Sequence, residues 1–382
     1  MPRIASVAVC VAVVPLDRVT SFATRTVHER HYGLVKVRSA EGIEGLGYCY
    51  AGTRAGQVLG SAAADLLAPQ LIGEDSLRVE GLWEKLYQET ILQGRVGSVM
   101  RALSAIDMAL WDLNARSVGL PLYRYLGAFA WDGVPAYASG GYYLEGKTPG
   151  QLGKEMEGYA RQGYTAVKMK VGRLSPAEEE RRVRAAREAI GPEVELMLDA
   201  NNAWRDLPTA LRFMDRFERY SPYWIEEPFS PDDLDNHARL AERIQTSVAT
   251  GEIEAGRWRF KEILEREAAD ILQTDATVCG GVTEWRRITA TAASYGVTVS
   301  PHAWHDIHLH LVATAPNARY VEFFPDDRIV NFRRLIDTQS QFRKGKLLLP
   351  TTPGLGFGFD ERAIKKHAMK LPGATGPWRI VR

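Results

Sequence analysis

Eight polar residues in the second half of the chain fall where a repeating strand–helix unit would end its strands. They are Lys168, Lys170, Asp199, Glu226, Glu252, Asp275, His302 and Glu322. Each closes a short apolar run, and from Lys170 onward the intervals are 29, 27, 26, 23, 27 and 20 residues. Every interval accommodates a helix, two turns and the next strand. A chain so built has few folds open to it. Parallel strands joined by helices form one sheet, and if the sheet closes into a barrel, all the strand C-termini open onto one face. Residues far apart in sequence then meet in one pocket.

Strands are predicted at 134–138, 165–171, 194–199, 223–226, 248–251, 270–273, 297–301 and 319–323, with helices between them that include 176–190 and 281–295. Eight strands fit a closed α/β barrel better than an open doubly wound sheet, because no Gly-rich dinucleotide fingerprint follows the first. The Gly354–Gly358 stretch has neither a strand before it nor a helix directly after it, and is read as a turn in the tail. Residues 1 to about 128 are patterned differently. Three strands (4–14, 32–38 and 45–50) precede three helices (57–67, 77–89 and 99–118), which predicts a separate α+β domain. The expected division is 1–128, 129–350 for the barrel, and a C-terminal segment, 351–382.

Composition narrows the partners. The chain has 382 residues, 45% hydrophobic and 25% charged, with a net charge of +1. Its basic residues are scattered, so neither nucleic acid nor an anionic membrane is expected. Three widely spaced cysteines, Cys10, Cys49 and Cys279, suit reduced structural thiols and a cytoplasmic location. The apolar stretch 7–14 is followed by Pro15-Leu16-Asp17-Arg18 rather than a small-residue cleavage site, and is read as the first strand.

The chemistry starts with the carboxylates. Asp199, Glu226 and Glu252 end three consecutive predicted strands, and three anions side by side require a cation. All-oxygen ligation favours Mg²⁺ or Mn²⁺. Taken singly, any of them is as readily a helix cap or turn residue. Lys168 and Lys170 share one side of a strand. Val167, Met169 and Val171 alternate with them, so the lysines are expected to face the barrel axis and, crowding each other beside a divalent cation, to have lowered pKa values. Asp275 and His302 end adjacent strands across the pocket from Lys170, where the carboxylate would fix the imidazole tautomer. His305, His308 and His310 are read as structural residues of the next helix. Glu322, among other carboxylates, is expected to stay protonated and to donate a hydrogen bond.

These residues, with Lys168-Met169-Lys170, Leu198-Asp199-Ala200-Asn201, Trp224-Ile225-Glu226-Glu227-Pro228, Gly251-Glu252, Gly280-Gly281-Val282-Thr283, Pro301-His302 and Val321-Glu322 in order, resemble the enolase superfamily, mandelate racemase subgroup. The resemblance covers essentially the whole chain. It implies a (β/α)7β TIM-like barrel under an α+β capping domain, whose loops near Thr20 and Tyr50 select substrate. It further implies a carboxylate substrate on Mg²⁺ held by Asp199, Glu226 and Glu252. Lys170 and His302–Asp275 would be the acid–base groups, Lys168 would interact with the substrate carboxylate, Glu322 would stabilise an enediolate, and Asn201 would contact substrate. The expected activity is dehydration of an acid sugar, with racemisation, epimerisation or lactone cycloisomerisation as alternatives. A non-catalytic metal-binding scaffold is the alternative of another class. A symmetric homo-oligomer is expected.

Overall fold

A computed structural model describes residues 3–130 and 132–382. Its first part is an antiparallel sheet of β1 (Ile4–Ser21), β2 (Thr26–Ser39) and β3 (Glu44–Tyr50), backed by α1 (Gly56–Ser61), α2 (Val79–Thr90) and α3 (Ser98–Ser117). The hairpin between β1 and β2 is longer than its sequence predicts. Pairing resumes at Thr20↔Val27 after a register shift beyond Pro15↔Glu29, so the residues just past the predicted strand 4–14 form a bulge within a longer strand. The predicted helix 57–67 is also broken: α1 gives way to a wide turn at Ala62–Leu67 and a tight one at Ala68–Leu71. Helix α3 ends at Gly119, whose φ of +70° is the left-handed value glycine adopts without cost.

After the short α4 (Leu122–Tyr125) the alternation begins. It runs β4 (Gly133–Ser139), α5 (Pro149–Arg161), β5 (Ala166–Lys170), α6 (Pro176–Ile190), β6 (Glu195–Asp199), α7 (Leu207–Phe217), β7 (Pro222–Glu226) and α8 (Leu234–Ala241). It continues through β8 (Ser247–Thr250), α9 (Arg257–Glu265), β9 (Ile271–Leu272), α10 (Gly281–Ser294), β10 (Thr298–Val299), α11 (His305–Val312) and β11 (Val321–Phe323). Strands β4 to β10 pair in order and in parallel, β11 pairs with β4, and a bridge from Val299 to Ala318 joins β10 to the approach to β11. The sheet is therefore closed, as a (β/α)7β barrel.

Within the barrel an apolar layer of Tyr137, Ala166, Met197, Trp224, Ala249, Ile271 and Tyr320 fills the axis. One pleat further toward the C-termini stand Lys168, Asp199, Glu226 and Glu322, so the apolar layer is the floor beneath them. Val167, Met169 and Val171 pack outward with the helices. Beyond the barrel, β12 (Phe342–Arg343) and β13 (Lys346–Leu348) form a hairpin on β4. After α12 (Glu361–His367), β14 (Ala368–Met369) and β15 (Arg379–Val381) add to β1 of the capping sheet.

Helix α10 is where capping helix and barrel lock. The Asp107 carboxylate of α3 accepts from Thr283 N–H (2.9 Å) and Thr283 Oγ1 (2.6 Å), Ser104 Oγ accepts from Gly280 N–H (3.0 Å), and Trp83 Nε1 donates to the Gly280 carbonyl (2.7 Å). Gly281 has φ +89°, and a Cβ there would stand 2.3 Å from Asp107 Oδ2. The approach requires glycine.

Candidate active site

Parallel register sets the first row of the site. Lys170 pairs with Asp199 and Asp199 with Glu226, so three side chains from β5, β6 and β7 stand abreast at the barrel mouth. Glu252 follows two residues after the end of β8. Lys168 Nζ lies 2.6 Å from Glu226 Oε1, 2.9 Å from Glu322 Oε1 and 3.6 Å from Asp199 Oδ2, and Lys170 Nζ bonds Asp199 Oδ2. Trp224 Nε1 donates to Glu226 Oε2 (3.1 Å), tying this row to the layer below.

The opposite wall comes from β9 and β10. His302 Nδ1–H donates to Asp275 Oδ2 (2.9 Å), which leaves Nε2 facing the cavity, 3.6 Å from Glu252 Oε1. Asp275 Oδ1 accepts from Thr277 N–H (2.7 Å). His308, on α11 as its sequence suggests, braces both strand ends. Its Nδ1–H donates to the Ala303 carbonyl (2.8 Å) and its Nε2 accepts from Ala276 N–H (3.0 Å). Glu322 Oε2 accepts from Ala303 N–H (2.7 Å), securing the same loop.

A cavity of about 300 Å³ lies between barrel and cap, with Lys170, Asn201, Glu227, Glu252, His302 and Glu322 on the barrel side. Lys168, Asp199, Glu226 and Asp275 are buried beneath or behind its lining. Tyr50 faces the cavity. Thr20 does not: its hydroxyl is buried and donates to the Arg18 carbonyl (3.0 Å), because the hairpin continues past it as paired strand. Phe22 and Arg25 take its place at the hairpin tip, and a bridge from Ser21 to Tyr143 pins that tip to the loop after β4.

Without a cation between them, the charged groups of the site run against two expectations. Burial by itself would lower both lysines, but Asp199 together with Tyr142 and Glu226 outweighs it at Lys170, and Glu226, Glu322, Tyr137 and Asp199 together outweigh it at Lys168, so both pKa values rise. Crowding between the ammonium groups is the weaker force. Glu322 is not kept protonated: burial raises it, but Lys168 and His302 overcome that and bring it down to about 2. For Asp199, burial is likewise overcome by Lys170 and Lys168, and its pKa falls to about 2. His302 is pushed down by burial but lifted further by Glu252, Asp275 and Glu322, to about 9. Glu226 and Glu227 rise, through burial first and then through neighbouring carboxylates.

A divalent cation suits this donor set in kind. Asp199, Glu226 and Glu252 are hard oxygen donors from consecutive strand ends, and Asn201 Oδ1, beside them, is buried without a hydrogen-bond partner. Asn201 and Asn202 both have positive φ, a local backbone strain that turns the chain sharply after Asp199. Among the described residues, no three acidic, imidazole or thiol groups are already drawn around one point. Lys168 and Lys170 hold Asp199 and Glu226 instead. The three cysteines are buried free thiols.

Several cavity residues escaped the sequence reading: Arg30, Arg101 and Trp304. Nothing in their local pattern sets them apart from ordinary strand, helix or loop residues.

The sequence matches the family model for the mandelate racemase/muconate lactonizing enzyme N-terminal domain over residues 4–127. It also matches that for the enolase C-terminal domain-like fold over 151–363. The chain belongs to the enolase superfamily, mandelate racemase subgroup. It is 35% identical over 331 residues to L-talarate/galactarate dehydratase of Salmonella typhimurium, covering 86% of this chain and 81% of that one. It is 34% identical over 313 residues to arabinonate dehydratase of Saccharolobus solfataricus (80% and 82%), and 31% identical over 375 residues to D-galactarolactone cycloisomerase of Agrobacterium fabrum (94% and 96%). Among solved structures, L-talarate dehydratase from Polaromonas sp. JS666, complexed with Mg and L-glucarate, superposes with a TM-score of 0.90 at 32% identity, covering 100% of this chain and 99% of that one. Its relatives are thus acid-sugar dehydratases, with cycloisomerases beside them.

Proposed function

We propose that this chain removes the proton on the carbon next to a carboxylate of an acid sugar and expels the hydroxyl on the following carbon. The C2 proton goes to an enzyme base, the C3 hydroxyl leaves with a proton as water, and the resulting enol becomes a 2-keto-3-deoxy acid. The observation that carries the reading is the placing of Lys170 and the Asp275-braced imidazole of His302 on two sides of one cavity, three strands apart by the shorter way round the ring. The activities of the relatives supply the acid-sugar class.

Lys170 and His302 hold and move the two protons. Asp275 keeps the His302 Nδ1–H pointed inward, so Nε2 is the working atom. Lys168 offers positive charge to the substrate carboxylate, Glu322 secures the backbone after His302 and faces the developing enediolate, and Asn201 and Tyr50 contact substrate. Asp199, Glu226 and Glu252 would hold Mg²⁺, with Mn²⁺ as a substitute. When bound, the cation supplies the charge that makes so weak a carbon acid reactive.

Two protonatable groups on opposite sides also suit inversion at C2, and the cycloisomerase relative keeps a third outcome in view. A panel of aldonic and aldaric acids and their lactones, incubated with Mg²⁺ and assayed for 2-keto acid, separates them. A keto product is expected. Inversion at C2 without keto product replaces the dehydratase reading, and keto product from the lactone of an acid but not from the open acid replaces it with cycloisomerisation. Silence across the panel favours a non-catalytic scaffold.

A further inference from the structure

The cap wall of the cavity carries positive charge that the protein itself does not balance. Arg30 of β2 is only 7% exposed, yet it lines the cavity. Its Nε donates to the Ile329 carbonyl (2.9 Å), and its guanidinium sits 5.2 Å from the Tyr50 ring centroid. The ionisable side chains acting on it are phenols, Tyr50, Tyr32 and Tyr142, rather than carboxylates. Arg101 of α3 lines the same wall, held by a bond from Nη1 to the Tyr50 carbonyl (2.8 Å). Arg25 stands at the hairpin tip.

Among the described residues none of these three forms an ion pair, whereas Arg182 and Arg116 of this chain are matched to Glu179 and Asp112. A desolvated guanidinium without a counter-ion is costly to the fold, and such costs persist where a ligand removes them. The acids on the cavity, Glu227, Glu252 and Glu322, all come from the barrel strand ends. The cavity is therefore sorted by charge. Lys170 and the acids line one side, and arginines without anions line the other.

We infer that the substrate is a dicarboxylate, an aldaric rather than an aldonic acid, whose second carboxylate is held by Arg30 and Arg101. The inference rests on the function proposed above and narrows it. With one carboxylate at the barrel end, the chain of hydroxyl carbons extends toward the cap, and a planar guanidinium is the natural partner of a terminal carboxylate. A terminal hydroxymethyl group would leave both charges unpaired. Arg25, more exposed, attracts the same anion at the entrance.

The test is calorimetric titration, in Mg²⁺, with a hexaric acid and with the hexonic acid of the same configuration. Titrations use the Lys170→Ala background to slow turnover, and rates are measured alongside on protein that retains Lys170. The diacid is expected to bind on the order of 10²-fold tighter or more. That preference should fall at least tenfold in Arg101→Gln and return in part in Arg101→Lys. Arg101 is only half-buried, so its variants are the ones to read, with Arg30→Lys as the second if its melting curve is native. Equal binding of the two acids, or a preference untouched by Arg101→Gln, overturns the inference; 2-keto product from either acid would then still support dehydration. A preference that depends on Arg101, with no turnover of any acid, keeps the subsite and removes the dehydratase reading.

Discussion

Lys168 has three carboxylate partners, Asp199, Glu226 and Glu322, and Lys170 has one, Asp199, and these carboxylates hold both lysines charged. Mutual repulsion along a strand predicts depressed lysines, but Asp199, Glu226 and Glu322 are closer and more numerous. Spacing within one strand is legible in a sequence; the three strands that face it are not. His302 shows the same balance. Its pKa rises from 6.5 to about 9 in the folded protein. A group raised on folding stabilises the fold while it is protonated in both states, so the His302 contribution is full below about pH 6.5 and gone once pH passes about 9. Without divalent cation, wild type should lose its advantage over His302→Asn across that window, by on the order of 2–3 kcal/mol, in urea melts. An imidazole NMR titration midpoint near 6.5 would contradict it. Lys170→Ala is expected to lower kcat/KM for the acid sugar by about 10²–10⁴-fold, as loss of a general acid–base group does. A change under threefold would remove Lys170 from the chemistry.

The barrel strands are legible because each pairs an apolar run with a polar end. Even so, β9 and β10 are reduced to two paired residues, since the chain leaves the sheet early to place Asp275 and His302. The bulged β1 was less legible, because Pro15 and the charged residues after it carry a turn signature while long-range pairing with β2 overrides it. Two helices hold the site from outside. Through its two bonds, His308 on α11 joins the loops that carry Asp275 and His302. Burial lowers its pKa, so it stays neutral and keeps one tautomer. His308→Leu should reduce kcat more than it raises KM and should move the His302 limb of the pH–rate profile; a KM effect alone would make His308 a packing residue. At α10, Asp107→Ala leaves Thr283 N–H and Oγ1 without their acceptor and should cost about 1–3 kcal/mol in urea unfolding. No loss of stability would mean that the cap docks by its apolar contacts alone.

Cap and barrel make one cavity through residues some three hundred positions apart. Arg30 reaches Ile329, and Tyr32 donates to Asn331 Oδ1 (2.9 Å). This is why the barrel half of the site can be read from sequence and the cap half cannot. Strand ends repeat at regular intervals, whereas Arg30 and Arg101 gain meaning only when β2 and α3 are laid over the barrel mouth. Among the described residues no helix is long and apolar enough to cross a membrane. In the proposed reaction Lys170 and His302 act on one substrate from two sides of the cavity. Exchange of the α-proton of an aldaric acid in deuterated water with Mg²⁺, followed by NMR in wild type, Lys170→Ala and His302→Asn, tests it most directly. The account predicts exchange or deuterated product in wild type, with at least one variant stripped of exchange and both of turnover. Undiminished exchange and turnover in both variants would contradict it.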